Sequence, residues 1–123
     1  MITIEEMEVM LDELASQLPE VIYEGLNGGI LLLPQEKRSP VSQEGDLCIM
    51  GEYHIDGQMG RYIAIYYGSF MHVYGGLSPE ALKRKLDHTL KHEFTHHLES
   101  RAGERGLEIE DARYIEKYLR NKG

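Results

Sequence analysis

Two histidines and the glutamate between them form the clearest chemical pattern in this chain. The segment from His92 to His96 reads H-E-x-x-H. If the segment is helical, side chains four residues apart lie one turn above each other on the same face, so both imidazoles can reach one metal ion. The pattern therefore predicts that His92 and His96 bind one zinc ion. It also predicts that Glu93 lies beside the ion as a general base.

The surrounding sequence predicts the helix that this chemistry requires. Ser78-Pro79-Glu80 is typical of a helix start, with Ser78 as N-cap and Pro79 at the first helical position. No glycine or proline then follows until Gly103. An apolar residue recurs at every fourth position and predicts a buried stripe, formed by Leu82, Leu86, Leu90, Phe94 and Leu98. Polar residues predict a second face beside that stripe, formed by His88, Thr89, His92, Glu93, His96 and Glu99.

With these residues the chain resembles the bacterial zincin-like metallopeptidases, which are small one-domain proteins. Three segments show the resemblance: the helix start Ile2-Thr3-Ile4-Glu5-Glu6-Met7, the tyrosine-rich strand from Tyr62 to Gly68, and H-E-x-x-H-H from His92 to His97. The histidine segment is the specific one. The resemblance implies an α+β fold, namely a compact minimal zincin-like domain. It has a small mixed sheet, an N-terminal covering helix, a long metal-binding helix and a short C-terminal helix.

The third metal ligand cannot be transferred from this family. Its pattern, H-E-x-x-H-x-x-G-x-x-D, ends in an aspartate that returns to the metal. Here Glu99 occupies the glycine position and Ala102 the aspartate position. Alanine has no group that can bind a metal ion.

Chain geometry ranks the possible substitutes. A helix that continues to about Ala102 rises roughly 9 Å beyond His96, and Gly103 and Gly106 then allow a reversal. An extended return covers that distance in about three residues. The alternation of side chains along this return turns Asp111 inward, so Asp111 is the predicted third ligand.

Four other carboxylates stay open as alternatives: Glu99, Glu104, Glu108 and Glu116. Glu99 lies nearly two turns from His92, which strains a three-ligand site. Glu116 fits the other zincin plan, in which a downstream glutamate completes the coordination. Asp111 is also a good N-cap for a closing helix predicted over residues 112–119.

Length, charge and cysteine content restrict the class of protein. The 123 residues can bury one core, so residues 1–123 are predicted to form a single domain. The formal charge of −8 disfavours nucleic acid as a partner, and no apolar run is long enough to cross a membrane. Cys48 is the only cysteine, and no secretion signal is evident. A cytoplasmic location is the simplest expectation. The oligomeric state is left open.

The rest of the sequence predicts elements that support the histidine helix. Thr3 and Glu6 have the form of a capping box, and helical spacing of apolar residues continues until Pro19. Three runs are strand-like: Gly29 to Leu33, Leu47 to His54, and Arg61 to Tyr67. The last two predict a hairpin whose turn includes Asp56-Gly57 and Gly60. The stretch from Pro34 to Asp46 is predicted to be a mobile loop.

The motif predicts a zinc-dependent metallopeptidase that acts on a peptide or protein substrate. Zinc would lower the pKa of a water from about 15.7 toward about 7, and Glu93 would take its proton. The stretch from Tyr62 to Phe70 is the predicted edge strand for an extended peptide. His97 is predicted to support a ligand or to pack, and not to bind the metal itself. His54 and His72 follow no pattern.

Two other functions stay open. One is a catalytically silent zinc-binding module or regulatory partner domain, against which Glu93 weighs because a structural site needs no base. The other is zinc-dependent hydrolysis of a non-peptide bond.

Overall fold

A computed structural model describes residues 1–40 and 47–105, together with residues 117 and 119. In chain order, these residues form helix α1 (Ile4–Ser16), a 3-10 turn (Glu20–Tyr23), strands β1 (Gly29–Leu33), β2 (Lys37–Arg38), β3 (Cys48–Ile49), β4 (Gly51–Asp56) and β5 (Gly60–Tyr66), and helices α2 (Tyr67–Tyr74) and α3 (Pro79–Arg105). Helices lie beside a small mixed sheet. The predicted α+β class is therefore confirmed.

The main sheet has three strands in the order β1-β5-β4. Strand β1 runs parallel to β5, whereas β4 pairs with β5 in the antiparallel direction and forms the predicted hairpin. In its turn, the Asp56 carboxylate accepts hydrogen bonds from the backbone of Gln58 and Met59. Gly60 closes the turn with a φ of 74°, a backbone conformation that favours glycine. Strands β2 and β3 form a separate antiparallel pair.

Apolar residues from the helices and the sheet form one core. The five residues of the predicted α3 stripe are all buried in it. Helix α1 begins at the predicted capping box and covers this core with Met7, Leu11 and Leu14. Leu119 is helical and only 1% exposed, so the chain returns to the core where the sequence predicts a C-terminal helix.

Helix α2 and strand β2 were not predicted. Residues 67–70 continue as helix, although the sequence predicts a strand there, and β2 lies inside the predicted loop from Pro34 to Asp46. The reason is a tertiary contact, since the segment before β2 packs closely against the start of α2. The approach is so close that a Cβ on Gly68 would lie 2.5 Å from the backbone nitrogen of Glu36. Next to it, the Lys37 backbone N–H donates to Ser69. Local propensity does not reveal such contacts. Residues 41–46 of the predicted loop lie outside the described part of the chain.

Helix α3 also extends beyond its predicted end near Ala102. It passes through Gly103 and is described as far as Arg105. A glycine inside a helix costs only about 1 kcal/mol, which tertiary contacts can offset. Arg101 supplies such a contact, since its buried guanidinium lies 3.3 Å from the Glu24 carboxylate. Within the described ranges, no helix combines the length and apolar character needed to cross a membrane.

Candidate metal centre

Helix α3 presents His92 and His96 on one exposed face. The helix begins as predicted: the Ser78 hydroxyl accepts a hydrogen bond from the backbone of Ala81, and Pro79 is the first helical residue. Four turns later, the Nε2 atoms of His92 and His96 lie 3.2 Å apart. Two nitrogens on a tetrahedral zinc ion are separated by about 3.3–3.4 Å, given Zn–N bonds of about 2.0–2.1 Å. The two imidazoles are therefore spaced as a pair of zinc ligands.

The histidine pair faces an open cleft of about 700 Å³ between α3 and the edge strand β4. The cleft is lined by Gly51, Glu52, Tyr53 and Ile55 from β4 and by His92, Glu93, His96, Glu99 and Ser100 from α3. Its volume falls in the range of small-molecule and cofactor sites. Three carboxylates line it, so the cleft favours a cationic occupant.

Glu93 lies in this cleft with a largely buried side chain, 6% exposed. Burial raises the pKa of the Glu93 carboxyl above its usual value. The nearby His96 opposes this shift, whereas the negative charge of Glu52 adds to it. A carboxylate with a raised pKa is a stronger base at neutral pH, which suits the predicted role of Glu93.

The described residues do not supply a third ligand to the histidine pair. Glu99 lines the cleft, but no carboxylate, thiol or imidazole in this part of the chain has its ligand atom within 4.8 Å of those of both His92 and His96. The predicted ligand Asp111 lies outside the described residues. So do the alternatives Glu108 and Glu116 and the side chain of Glu104.

His97 is fully buried and packs as predicted. Its Nε2 lies 2.8 Å from the Glu24 carbonyl oxygen, which can only accept, so Nε2 carries the proton. The opposite nitrogen, Nδ1, then accepts from the Tyr53 hydroxyl at 2.8 Å. Arg61 donates to the same hydroxyl. These hydrogen bonds hold β4 against α3. Burial lowers the pKa of His97.

Glu52 and His54 were not recognised from the sequence as neighbours of the site. The Glu52 carboxylate accepts hydrogen bonds from Lys37 and from the Tyr66 hydroxyl, and it lies 3.2 Å from Nε2 of His54. Burial alone would raise the pKa of Glu52, but these hydrogen bonds outweigh it and lower the pKa. His54 also stacks on Tyr62. The two-residue alternation of a strand puts Glu52 and His54 on one face of β4, but only the packing of β4 beside α3 shows where that face lies.

The prediction of which strand forms the edge of the cleft is wrong. The stretch from Tyr62 to Phe70 was expected to border the cleft, but β5 lies in the middle of the sheet and pairs on both sides. The edge beside the histidines belongs to β4. Strand order depends on the parallel pairing of β1 with β5, which no local pattern in the sequence encodes.

Comparison with solved structures finds a similar protein, a conserved hypothetical protein from T. thermophilus. The two chains are 32% identical with a TM-score of 0.70, and the match covers 82% of this chain and 98% of the other. Comparisons with protein-family models and with curated proteins give no match. At this identity and coverage, the chain belongs to the same family as the conserved hypothetical protein from T. thermophilus.

Proposed function

We propose that the protein is a zinc-dependent metallopeptidase in which His92 and His96 bind zinc and Glu93 is the general base. The observation that supports this most directly is the 3.2 Å separation of the two Nε2 atoms at an open cleft. That separation matches two adjacent zinc ligands. Glu93 follows His92 in sequence and lines the same cleft.

A zinc ion at this position would polarise a peptide carbonyl and lower the pKa of a water molecule. The residues of the chain supply the proton transfers. Burial keeps the Glu93 carboxylate basic, so it takes a proton from the attacking water and passes it to the leaving amine. The hydrogen bonds that link Arg61, Tyr53 and His97 hold α3 in place beneath the cleft.

Strand β4 is the proposed binding edge for an extended peptide substrate. The backbone N–H of Tyr66 donates to the Met50 carbonyl, which makes these two residues a hydrogen-bonded pair. Such pairs alternate along an antiparallel ladder, so the backbone groups of Gly51, Tyr53 and Ile55 face away from β5. All three residues line the cleft. A peptide could therefore pair with β4 and cross the histidine face.

Asp111 is our proposed third ligand, and the longer helix α3 leaves this assignment possible. From His96 to Arg105 the helix rises about 13.5 Å, at about 1.5 Å per residue. About four extended residues cover that distance, at about 3.3 Å each. The chain can thus regain the level of the histidines before Asp111. Because Cys48 is the only cysteine, we also propose a reducing, cytoplasmic location.

The test is to separate zinc binding from catalysis. Glu93→Gln should retain zinc and cut an unstructured protein substrate about 10²–10⁴-fold more slowly, because it removes the base but no metal ligand. The double variant His92→Ala, His96→Ala should lose one equivalent of zinc and all cleavage. Glu80→Gln removes an exposed carboxylate of the same helix and should change neither property.

Two outcomes would overturn this proposal. If Glu93→Gln cuts as fast as the parent protein, Glu93 is not the base. If the parent binds zinc at His92 and His96 but cuts no peptide under any condition tried, the alternative of a catalytically silent zinc module is favoured.

A further inference from the structure

Outside the cleft, three different segments bring a carboxylate, a thiol and an imidazole together. Glu36 precedes β2, Cys48 is in β3 and His72 is in α2. Their ligand atoms all lie within 4.8 Å of one another. His72 follows no pattern in the sequence, because the three residues are far apart in the chain.

Backbone hydrogen bonds hold these three segments together without any help from an ion. The Gly68 N–H at the start of α2 donates to the Gln35 carbonyl at 3.1 Å. The Lys37 N–H donates to the Ser69 hydroxyl at 2.9 Å. Cys48 pairs with Arg38 across the two-stranded sheet. The donors are therefore preorganised, which lowers the entropic cost of binding an ion.

The spacing of the three donors suits a metal ion after a small adjustment. Three atoms that are no more than 4.8 Å apart can lie at most about 2.8 Å from a common centre, whereas zinc bonds are about 2.0–2.3 Å long. Rotations that move each donor inward by about 0.5–0.8 Å are sufficient. All three side chains are at least partly exposed, so an ion and a fourth, water ligand have access.

The same atoms have a simpler arrangement without metal. The His72 Nδ1 lies 3.1 Å from one Glu36 oxygen, and Arg38 pairs with the other oxygen at 2.7 Å. That arrangement accounts for Glu36 and His72 but gives the Cys48 thiol no role. A cation among the three donors would replace the direct contact between Glu36 and His72, and it would bind Cys48 as a thiolate.

We propose that Glu36, Cys48 and His72 form a second zinc site, separate from the histidine pair of α3. Thiolate and imidazole together favour zinc over calcium or magnesium, which prefer oxygen ligands. The ion would join β3 to α2 and to the segment before β2. This site does not depend on the proposed peptidase function.

Cobalt(II) is the probe that separates the two sites. Only a thiolate ligand gives a near-ultraviolet sulfur-to-cobalt charge-transfer band, and the His92 and His96 centre contains no sulfur. Metal-free parent protein titrated with Co²⁺ should show this band, and added Zn²⁺ should remove it. Cys48→Ser should abolish the band, and His72→Ala or Glu36→Gln should weaken cobalt binding at least about 10-fold. His88→Ala, an exposed histidine elsewhere, is the matched control and should leave the band unchanged.

The double variant His92→Ala, His96→Ala should keep the band although it loses the proposed catalytic metal. The failure of one proposal can therefore be distinguished from the failure of the other. A parent protein without the band at saturating cobalt would overturn the second site. So would a band of equal affinity in His72→Ala and Glu36→Gln, since it would show a thiol binding cobalt alone. If a variant fails to fold, alkylation of Cys48 in the parent protein decides: zinc in excess over both proposed sites should slow it at least about 10-fold, and an unchanged rate contradicts the proposal.

Discussion

His96 and His97 are adjacent in the sequence but have opposite roles. Successive helical residues point about 100° apart, so His96 is exposed at the cleft while His97 is fully buried. The helical pattern alone assigned both roles, because it placed His96 on the polar face and turned His97 about 100° away from it. The partners of His97, namely Tyr53 and the Glu24 carbonyl, come from distant segments and could not be predicted.

The buried His97 should make stability depend on pH below neutrality. Burial lowers the pKa of His97. The unfolded chain therefore binds a proton near pH 6.5, whereas the folded chain binds it only at a lower pH. The free energy of unfolding should therefore fall as pH drops below about 6.5, down to the lowered pKa of the folded state. His97→Gln should reduce this slope and also cost about 1–3 kcal/mol in lost hydrogen bonds.

Urea unfolding at pH 7.5 and pH 5.5, with a chelator to remove zinc, measures this effect. The difference between the two pH values should be smaller in His97→Gln than in the parent. His88→Gln, which changes an exposed histidine of the same helix, should behave like the parent. An identical pH dependence in His97→Gln and the parent would show that His97 does not titrate as its burial implies.

At the scale of elements, the contact between β4 and α3 shapes the cleft. Gly51 begins β4 directly against the helix, and a Cβ there would lie 2.9 Å from the Thr89 methyl group and 3.2 Å from the Ala64 carbonyl oxygen. Real Cβ atoms rarely approach other atoms so closely. The absence of a side chain at Gly51 therefore lets the edge strand β4 approach helix α3.

Gly51→Ala should push β4 away from α3. We expect a loss of about 1–3 kcal/mol in the free energy of unfolding, typical of overpacking in a fixed contact. Gly57→Ala, in the hairpin turn of the same sheet, is the control, since a Cβ there has no atom within 4 Å and its φ is not positive. Chemical denaturation of both variants tests this. Equal stability of the two would contradict the tight contact.

The elements that the sequence predicted well are those set by local patterns. The capping box at Thr3, the strand from Gly29 and the hairpin around Gly60 each depend on neighbouring residues. The central position of β5 depends instead on β1, which is about thirty residues earlier in the chain. Helix α2 depends on the contact of Gly68 with Glu36. Long-range contacts of this kind decided which strand borders the cleft.

For the molecule as a whole, metal binding should couple to folding. An ion that binds only the folded state stabilises it by about 2.7 kcal/mol when its free concentration is 100 times Kd. For 123 residues, an unfolding entropy of about 2.1 cal/mol/K per residue converts this to a rise in Tm of about 10 °C. Leu119 is buried in the core, so this residue shares in the folding.

The coupling offers a test of the third ligand that does not depend on catalysis. In a Cys48→Ser background, which removes the proposed second site, Asp111→Asn should lose most of the zinc-induced rise in Tm. A 100-fold weaker site at the same zinc concentration retains only about 0.4 kcal/mol, or about 1–2 °C. Asparagine caps a helix nearly as well as aspartate, so the Tm without zinc should change little.

The competing variants are Glu99→Gln, Glu104→Gln, Glu108→Gln and Glu116→Gln. Each should keep the full rise, and a larger loss in any one of them would assign the third ligand to that residue instead.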